Sequence, residues 1–289
     1  MRVLASAGGG SSGAGAGSPR AAFRWRRPLK YVEVAKTTLQ HNLAYALDVT
    51  WRSIFLIFIV FIFTQLWKKV FSTMPGSSVE GYDLHRMIWY FMTAEVLVLS
   101  TPPVWRQIGE QVRSGDLAYA LSKPYSYVWY HYASFMSEAM LRFFLNFAVG
   151  GTFVTLYLGP LQLAAVQPLA FFAAVVGSFS LHYLILVIIG LSAFWVEEPT
   201  PYHFIYQKLV FILGGMLLPI EVLPDSFERL AAWLPLKSII HGPARLLARF
   251  ESTDVAAVFA AQAGWIAVLA CAALAVYRTG VKRVHVNGG

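Results

Sequence analysis

Phe143 to Val196 reads FFLNFAVGGTFVTLYLGPLQLAAVQPLAFFAAVVGSFSLHYLILVIIGLSAFWV, and these 54 residues contain no Asp, Glu, Lys or Arg. About 20 apolar residues in a helix cross a hydrocarbon core of roughly 30 Å, so this stretch is too long for one crossing. Gly159-Pro160 and Gln167-Pro168 punctuate it and leave two spans joined by a short turn. The whole chain follows the same pattern: of 289 residues, 57% are hydrophobic and only 13% charged, against roughly 25% charged in soluble domains. A plain soluble enzyme is excluded.

Outward from that stretch, four more apolar segments stand out. The first is Ser53 to Trp67, flanked by Arg52 and Lys68, whose stems can snorkel. The second is Met87 to Trp105, interrupted only by Glu95, and the fifth and sixth are Tyr202 to Ile220 and Val255 to Tyr277. The expectation is an all-α integral membrane protein with six transmembrane helices and both ends on one side. Before the first span, Val32, Ala35, Leu39, Leu43, Ala46 and Leu47 recur at helical spacing, which predicts an amphipathic helix on the membrane surface over residues 31–48. Residues 1–30 are Gly/Ser-rich and basic, with no apolar run that would make a signal peptide, and read as a disordered cytoplasmic tail. The membrane domain then covers 49–280 and a short cytoplasmic tail 281–289.

The 23 bases and 15 acids give a net charge of +8. The bases lie beside apolar runs rather than in one patch, so membrane lipid rather than nucleic acid is the partner. With the N-terminus inside, the inner set holds Arg2, Arg20, Arg24, Arg26, Arg27, Lys30, Lys36, Arg52, Arg106, Arg113, Lys123, Lys208, Arg278, Lys282 and Arg283. The outer set is Lys68, Lys69, Arg86, Arg229, Lys237, Arg245 and Arg249, so the Lys/Arg bias puts both termini in the cytoplasm of a multi-pass cell-membrane protein.

Catalytic signatures are absent. The single Cys271 forms neither a disulfide framework nor a Cys-x-x-Cys site, and the seven histidines show no His-x-x-x-His or Glu-x-x-His spacing for a metal. There is no phosphate-binding Gly-x-x-x-x-Gly-Lys-Ser/Thr loop and no Gly-x-Ser-x-Gly elbow, so the chain is not read as an enzyme. Ionisable groups at membrane depth are the remaining candidates for chemistry. Glu138 and Arg142 are four apart on one helix and can pair; Glu95 has no partner near it in sequence. His182 reads as a core histidine, and Tyr125, Tyr127, Trp129, Tyr130 and Tyr132 as an interfacial aromatic belt.

Two connecting segments say more. Arg106 to Pro124 offers a short polar helix with Ile108, Val112 and Arg113 on one stripe, broken at Gly115-Asp116. The segment after the fifth span carries Gly214, Gly215 and Pro219, then Pro224, then Leu234 and Pro235, then Pro243. Within it Phe227, Leu230, Ala231 and Leu234 are spaced for a helix capped at Asp225 or Ser226 that dips into the outer leaflet, as a re-entrant or interfacial segment.

The string Glu110 to Pro124, with its core Arg113-Ser114-Gly115-Asp116-Leu117, resembles the loop between the second and third helices of ABC-2 type exporter permeases. The stretch from Gly214-Gly215 through Pro219, Pro224 and Leu234-Pro235 is similar to the segment after the fifth helix of that family. The resemblance covers about residues 30–280 and is closest to the small six-helix members without a large extracellular domain. It implies a permease that exports a small drug-like or lipid-like molecule, paired with a second permease subunit, identical or homologous, and with a separate ABC ATPase subunit. ATP and Mg would then sit on the ATPase, with no cofactor in this chain. Glu110, Arg113, Ser114, Gly115, Asp116 and Leu117 would form the ATPase-docking loop, Glu95, Glu138 and Arg142 would line a substrate path, and the Gly/Pro segment would form an outer gate. The rival reading is a secondary carrier or channel, coupled to protons or cations through Glu95 and the Glu138/Arg142 pair. Residues 50–160 and 160–280 show no internal repeat that favours it.

Overall fold

The computed structural model describes residues 27–44, 46–73 and 78–287; the expected basic tail lies outside them up to residue 26. Among the described residues the helices are α1 (Arg27–Ala44), α2 (Ala46–Thr73), α3 (Leu84–Leu99), α4 (Val104–Ser114), α5 (Asp116–Ser122) and α6 (Tyr127–Leu158). They continue as α7 (Gln167–Leu191), α8 (Thr200–Leu213), α9 (Asp225–Ala232), α10 (Leu236–Ile239), α11 (His241–Ala248) and α12 (Ser252–Asn287). Among the described residues five stretches are long and apolar enough to cross a membrane: Ser53–Thr73, Leu84–Ser114, Tyr127–Leu158, Gln167–Phe194 and Ser252–Arg283.

Two expected spans are not single helices. Met87 to Trp105 breaks after Leu99, because Pro102 and Pro103 bring no N–H and α4 restarts from the Val104 N–H on the Pro102 carbonyl, 2.9 Å. Tyr202 to Ile220 gives only α8, whose 14 residues extend about 21 Å, short of a roughly 30 Å core. Gly214 ends that helix, and Gly215 turns the chain at φ 75°, where a Cβ would stand 2.7 Å from the Tyr90 hydroxyl.

Contacts along the helices fix the layout. The Gln262 amide donates to the Ala174 carbonyl (2.9 Å), and Gly280 packs on the Phe194 ring, so α7 and α12 run side by side in the same direction. The chain between them must therefore travel back the length of α7. It does so in pieces, through α8, the turn at 215–222, α9, α10 and α11.

Backbone freed by that broken path has to be satisfied inside the protein, since lipid offers no hydrogen bonds. Tyr90 on α3 donates to the Gly215 carbonyl (2.6 Å) and lies 3.1 Å from His241 Nδ1. Ser178 on α7 donates to the Ile239 carbonyl, Gln262 on α12 to the Ser238 carbonyl (3.0 Å), and the His241 N–H to the Gly214 carbonyl (3.1 Å). Around these bonds the apolar core closes: Phe63 stacks on Phe91 at 3.9 Å between centroids, and Phe143 sits among Phe147, Phe171 and Phe179.

α1 follows α6. Tyr31 accepts from the Ser126 N–H (3.0 Å), Thr38 meets Ser134 (3.3 Å), and Ser137 donates to the Ala35 carbonyl (2.7 Å). The face it packs is thus Tyr31, Val34, Ala35 and Thr38, whereas Val32 and Leu39 from the expected apolar stripe are exposed. That stripe is left for lipid or for a partner. In the return path, α9 forms close to where the spacing placed it, but it starts from Pro224 with no side-chain cap, and Phe227 and Leu230 face outward.

Candidate functional site

One end of the bundle gathers α1, the α4–α5 corner and the last turns of α12. Lys30 donates to the Pro124 carbonyl (2.7 Å), Tyr127 stacks on Tyr277, and Arg283 reaches the Phe194 carbonyl (3.4 Å), so both described ends of the chain meet the start of α6 and the turn after α7 there. At this end α4 buries Val104, Trp105, Ile108 and Gly109. It lies so close to α7 that a Cβ on Gly190 would be 2.8 Å from the Ile108 Cβ and 2.9 Å from the Trp105 carbonyl oxygen.

The helix ends at Gly115, which turns left-handed at φ 81° with no other atom within 4 Å of where its Cβ would be. Ser114 donates to Asp116 Oδ2 (2.7 Å) and receives the Asp116 N–H (3.3 Å), pinning the corner into α5. Leu117 alone of α5 is buried. Arg113 holds Glu198 at 2.7 Å, tying the corner to the start of α8. Hydrogen bonds from the Thr200 hydroxyl and N–H, and then Arg113, keep the Glu198 carboxyl below the usual carboxylate range.

The sequence-predicted groups divide. Glu110 shares a cleft of about 200 Å³ between α4 and α6 with Arg106, His131, Glu138 and Arg142, and Glu138 accepts from Arg142 inside it. Glu110 of the docking set and two of the three expected path residues therefore adjoin. Glu95 stands apart: it is buried in α3, lines no part of that cleft, and accepts no hydrogen bond among the described residues. The outer set falls at the joints of the return path. Gly214 closes α8, Gly215 turns, Pro219 precedes the 220–222 turn, Pro224 starts α9, and Leu234-Pro235 leads into α10.

Lys208, counted with the inner bases, is the ninth residue of α8, about 12 Å along the helix from Thr200, and is exposed. There it lines a cavity with Val98, His182 and Tyr206. Sequence reasoning also missed the polar side chains that hold the return path, namely Tyr90, Ser178 and Gln262. The available signal was a lone hydrogen-bonding group within an apolar run. It missed as well the network in which Arg245 bridges Glu221 (2.7 Å) and Asp254 (2.8 Å), anchoring α11 to the start of α12.

An all-helical bundle with several membrane-length helices defines a multi-pass membrane protein. The chain belongs to the ABC-2 family of transporter proteins, whose family model matches residues 44–288. No curated protein matches it.

Proposed function

We propose that this chain is the membrane-spanning subunit of an ATP-driven exporter for a small drug-like or lipid-like molecule, with nucleotide chemistry supplied by a separate ABC ATPase. The observation that carries this reading is the α4–Gly115–α5 corner. It projects from the bundle, presents Arg113, Ser114, Asp116 and Glu110 outward, and is continuous with α3, seated on α7 and tied to α8. A push on it moves three elements together. A ligand shifts a conformational equilibrium only through contacts that differ between the states, and the corner supplies them.

In this reading the path over residues 200–250 is the sixth crossing, made in pieces, and the charged end with both described chain ends faces the cytoplasm of a cell-membrane protein. A second permease subunit covers α8. Its outward face mixes Phe204, Ile205, Leu209 and Ile212 with Gln207 and Lys208, a composition unsuited to lipid alone. The outward face of α12, by contrast, carries Val268 and Leu274 in a charge-free run and suits lipid. The Glu138–Arg142 pair neutralises itself beside the corner and serves as a structural tie. The test is purification of the tagged chain from its native membranes. An ATP-hydrolysing subunit is expected to co-purify, and Arg113→Glu with Asp116→Lys is expected to release it while the chain stays inserted. Retention by the double variant would remove the corner from the docking role.

A further inference from the structure

A groove of about 370 Å³ lies on the outside of the bundle between α6 and α12, over α7. Trp129 and Tyr132 of α6 and Tyr183 of α7 line it, and α12 contributes Ala270 and Ala273, whose small side chains leave the space open. The lining holds no Asp, Glu, Lys or Arg. Its deeper polar groups are already used. The Ser180 hydroxyl donates to the Val176 carbonyl (2.8 Å), so the Tyr132 hydroxyl, 3.0 Å from it, is the donor of that pair, and the Tyr183 hydroxyl donates to the Val128 carbonyl. A polar ligand would lose its water there and gain little in return, whereas hydrocarbon fits.

From Ile266 to Tyr277 the groove runs about 16 Å along α12, the depth of one leaflet of a roughly 30 Å core. It ends beside Ser126 and Tyr277, where α6 starts, and the hydroxyls of these two have no hydrogen-bond partner among the described residues. Bases stand at that end. Lys30 donates to the Pro124 carbonyl (2.7 Å), two residues before Ser126, and the neighbouring Tyr31 hydroxyl accepts from the Ser126 N–H (3.0 Å). Arg278 is exposed and follows Leu274 by one turn on the same ridge of α12. Neither base has a carboxylate partner among the described residues, and Glu33, one turn along α1 from Lys30, is exposed and makes no ion pair.

We propose that this groove seats one acyl chain of an anionic phospholipid from the leaflet at that end, with the headgroup held by Lys30, Arg278 and the Ser126 hydroxyl. The length of the groove and its lack of free donors select the chain, and the unneutralised bases at its mouth select the charge of the head. The lipid bridges α6 and α12 beside the Tyr127–Tyr277 stack, and so belongs to the fold rather than to the transported cargo. The site stands whether or not the chain is an exporter.

The test is native mass spectrometry of the full chain released from nanodiscs that hold phosphatidylcholine and phosphatidylglycerol in equal amounts with the same acyl chains. Phosphatidylglycerol is expected to stay bound in preference to phosphatidylcholine by about 25-fold, about fivefold for each base. Lys30→Gln and Arg278→Gln should each remove one such factor, and Arg278→Lys should keep it. Ala270→Trp, which fills the groove from an exposed position, should release the lipid, whereas Gly264→Trp, where a Cβ meets nothing within 4 Å, should retain it. Equal retention of the two lipids overturns the proposal, as does a preference that neither charge variant changes. Retention that survives Ala270→Trp overturns it as well, and so does the absence of any retained lipid, the outcome if a helix of another subunit covers the groove.

Discussion

Gly190→Ala tests how α4 is seated on α7. The added methyl would lie 2.8 Å from the Ile108 Cβ, 2.9 Å from the Trp105 carbonyl oxygen and 3.0 Å from Ile108 Cγ2. The first is a branch point and the second is backbone, so no side-chain rotation relieves them. Restoring contact to about 3.5–4.0 Å requires α4 to move by about 1 Å, and overpacking of this kind costs about 1–3 kcal/mol. Two companion substitutions calibrate it. Gly264→Ala on α12 meets nothing within 4 Å and gains up to about 1 kcal/mol of helix propensity. Gly115→Ala also meets nothing but sits at φ 81°, and costs about 1 kcal/mol or slightly more from backbone strain alone. Thermal unfolding midpoints in nanodiscs should rank Gly264→Ala highest, then wild type, then Gly115→Ala, with Gly190→Ala lowest. A Gly190→Ala midpoint at or above that of Gly264→Ala would refute the close approach of the two helices, and with it the coupling of the corner to the bundle.

Other consequences concern hydrogen bonds and pH. Tyr90→Phe removes the 2.6 Å bond to the Gly215 carbonyl and leaves a buried acceptor unpaired, a loss of about 1–3 kcal/mol readable as a lowered unfolding midpoint. The Arg113–Glu198 contact depends on a carboxylate whose pKa is lowered in the fold by Thr200 and Arg113. It is therefore present above the ordinary carboxylate range and lost as pH falls through the lowered value. The guanidinium NMR signal of Arg113 should shift in acid, and Glu198→Gln should abolish that shift.

Much of the bundle can be read along the chain. The charge-free run from Phe143 to Val196 yields the end of α6, a Gly159-Pro160 break and α7, because a helix in lipid shows itself through composition alone. Gly115-Asp116 likewise breaks the polar helix where a left-handed residue was needed. Residues 202–220 were misleading, since apolarity cannot distinguish a full span from a half-length helix followed by a buried turn. The partners that make the turn possible are remote in sequence: Tyr90 and Gly215 are 125 residues apart, and Gln262 and Ala174 are 88 apart. Glu95 was singled out by its charge and is buried in α3, and His182, which had read as a core histidine, is buried and hydrogen-bonded to Tyr206.

The most direct test places a benzophenone maleimide on the corner. Asp116→Cys, combined with Cys271→Ser to remove the exposed native thiol, is labelled and photolysed in native membranes. Gln162→Cys at the opposite end serves as the control position. The expected product is a cross-link from position 116 to an ATP-hydrolysing subunit, absent from position 162. Adducts from position 116 only to lipid or to another copy of this chain would contradict the assignment of the corner to an ATPase.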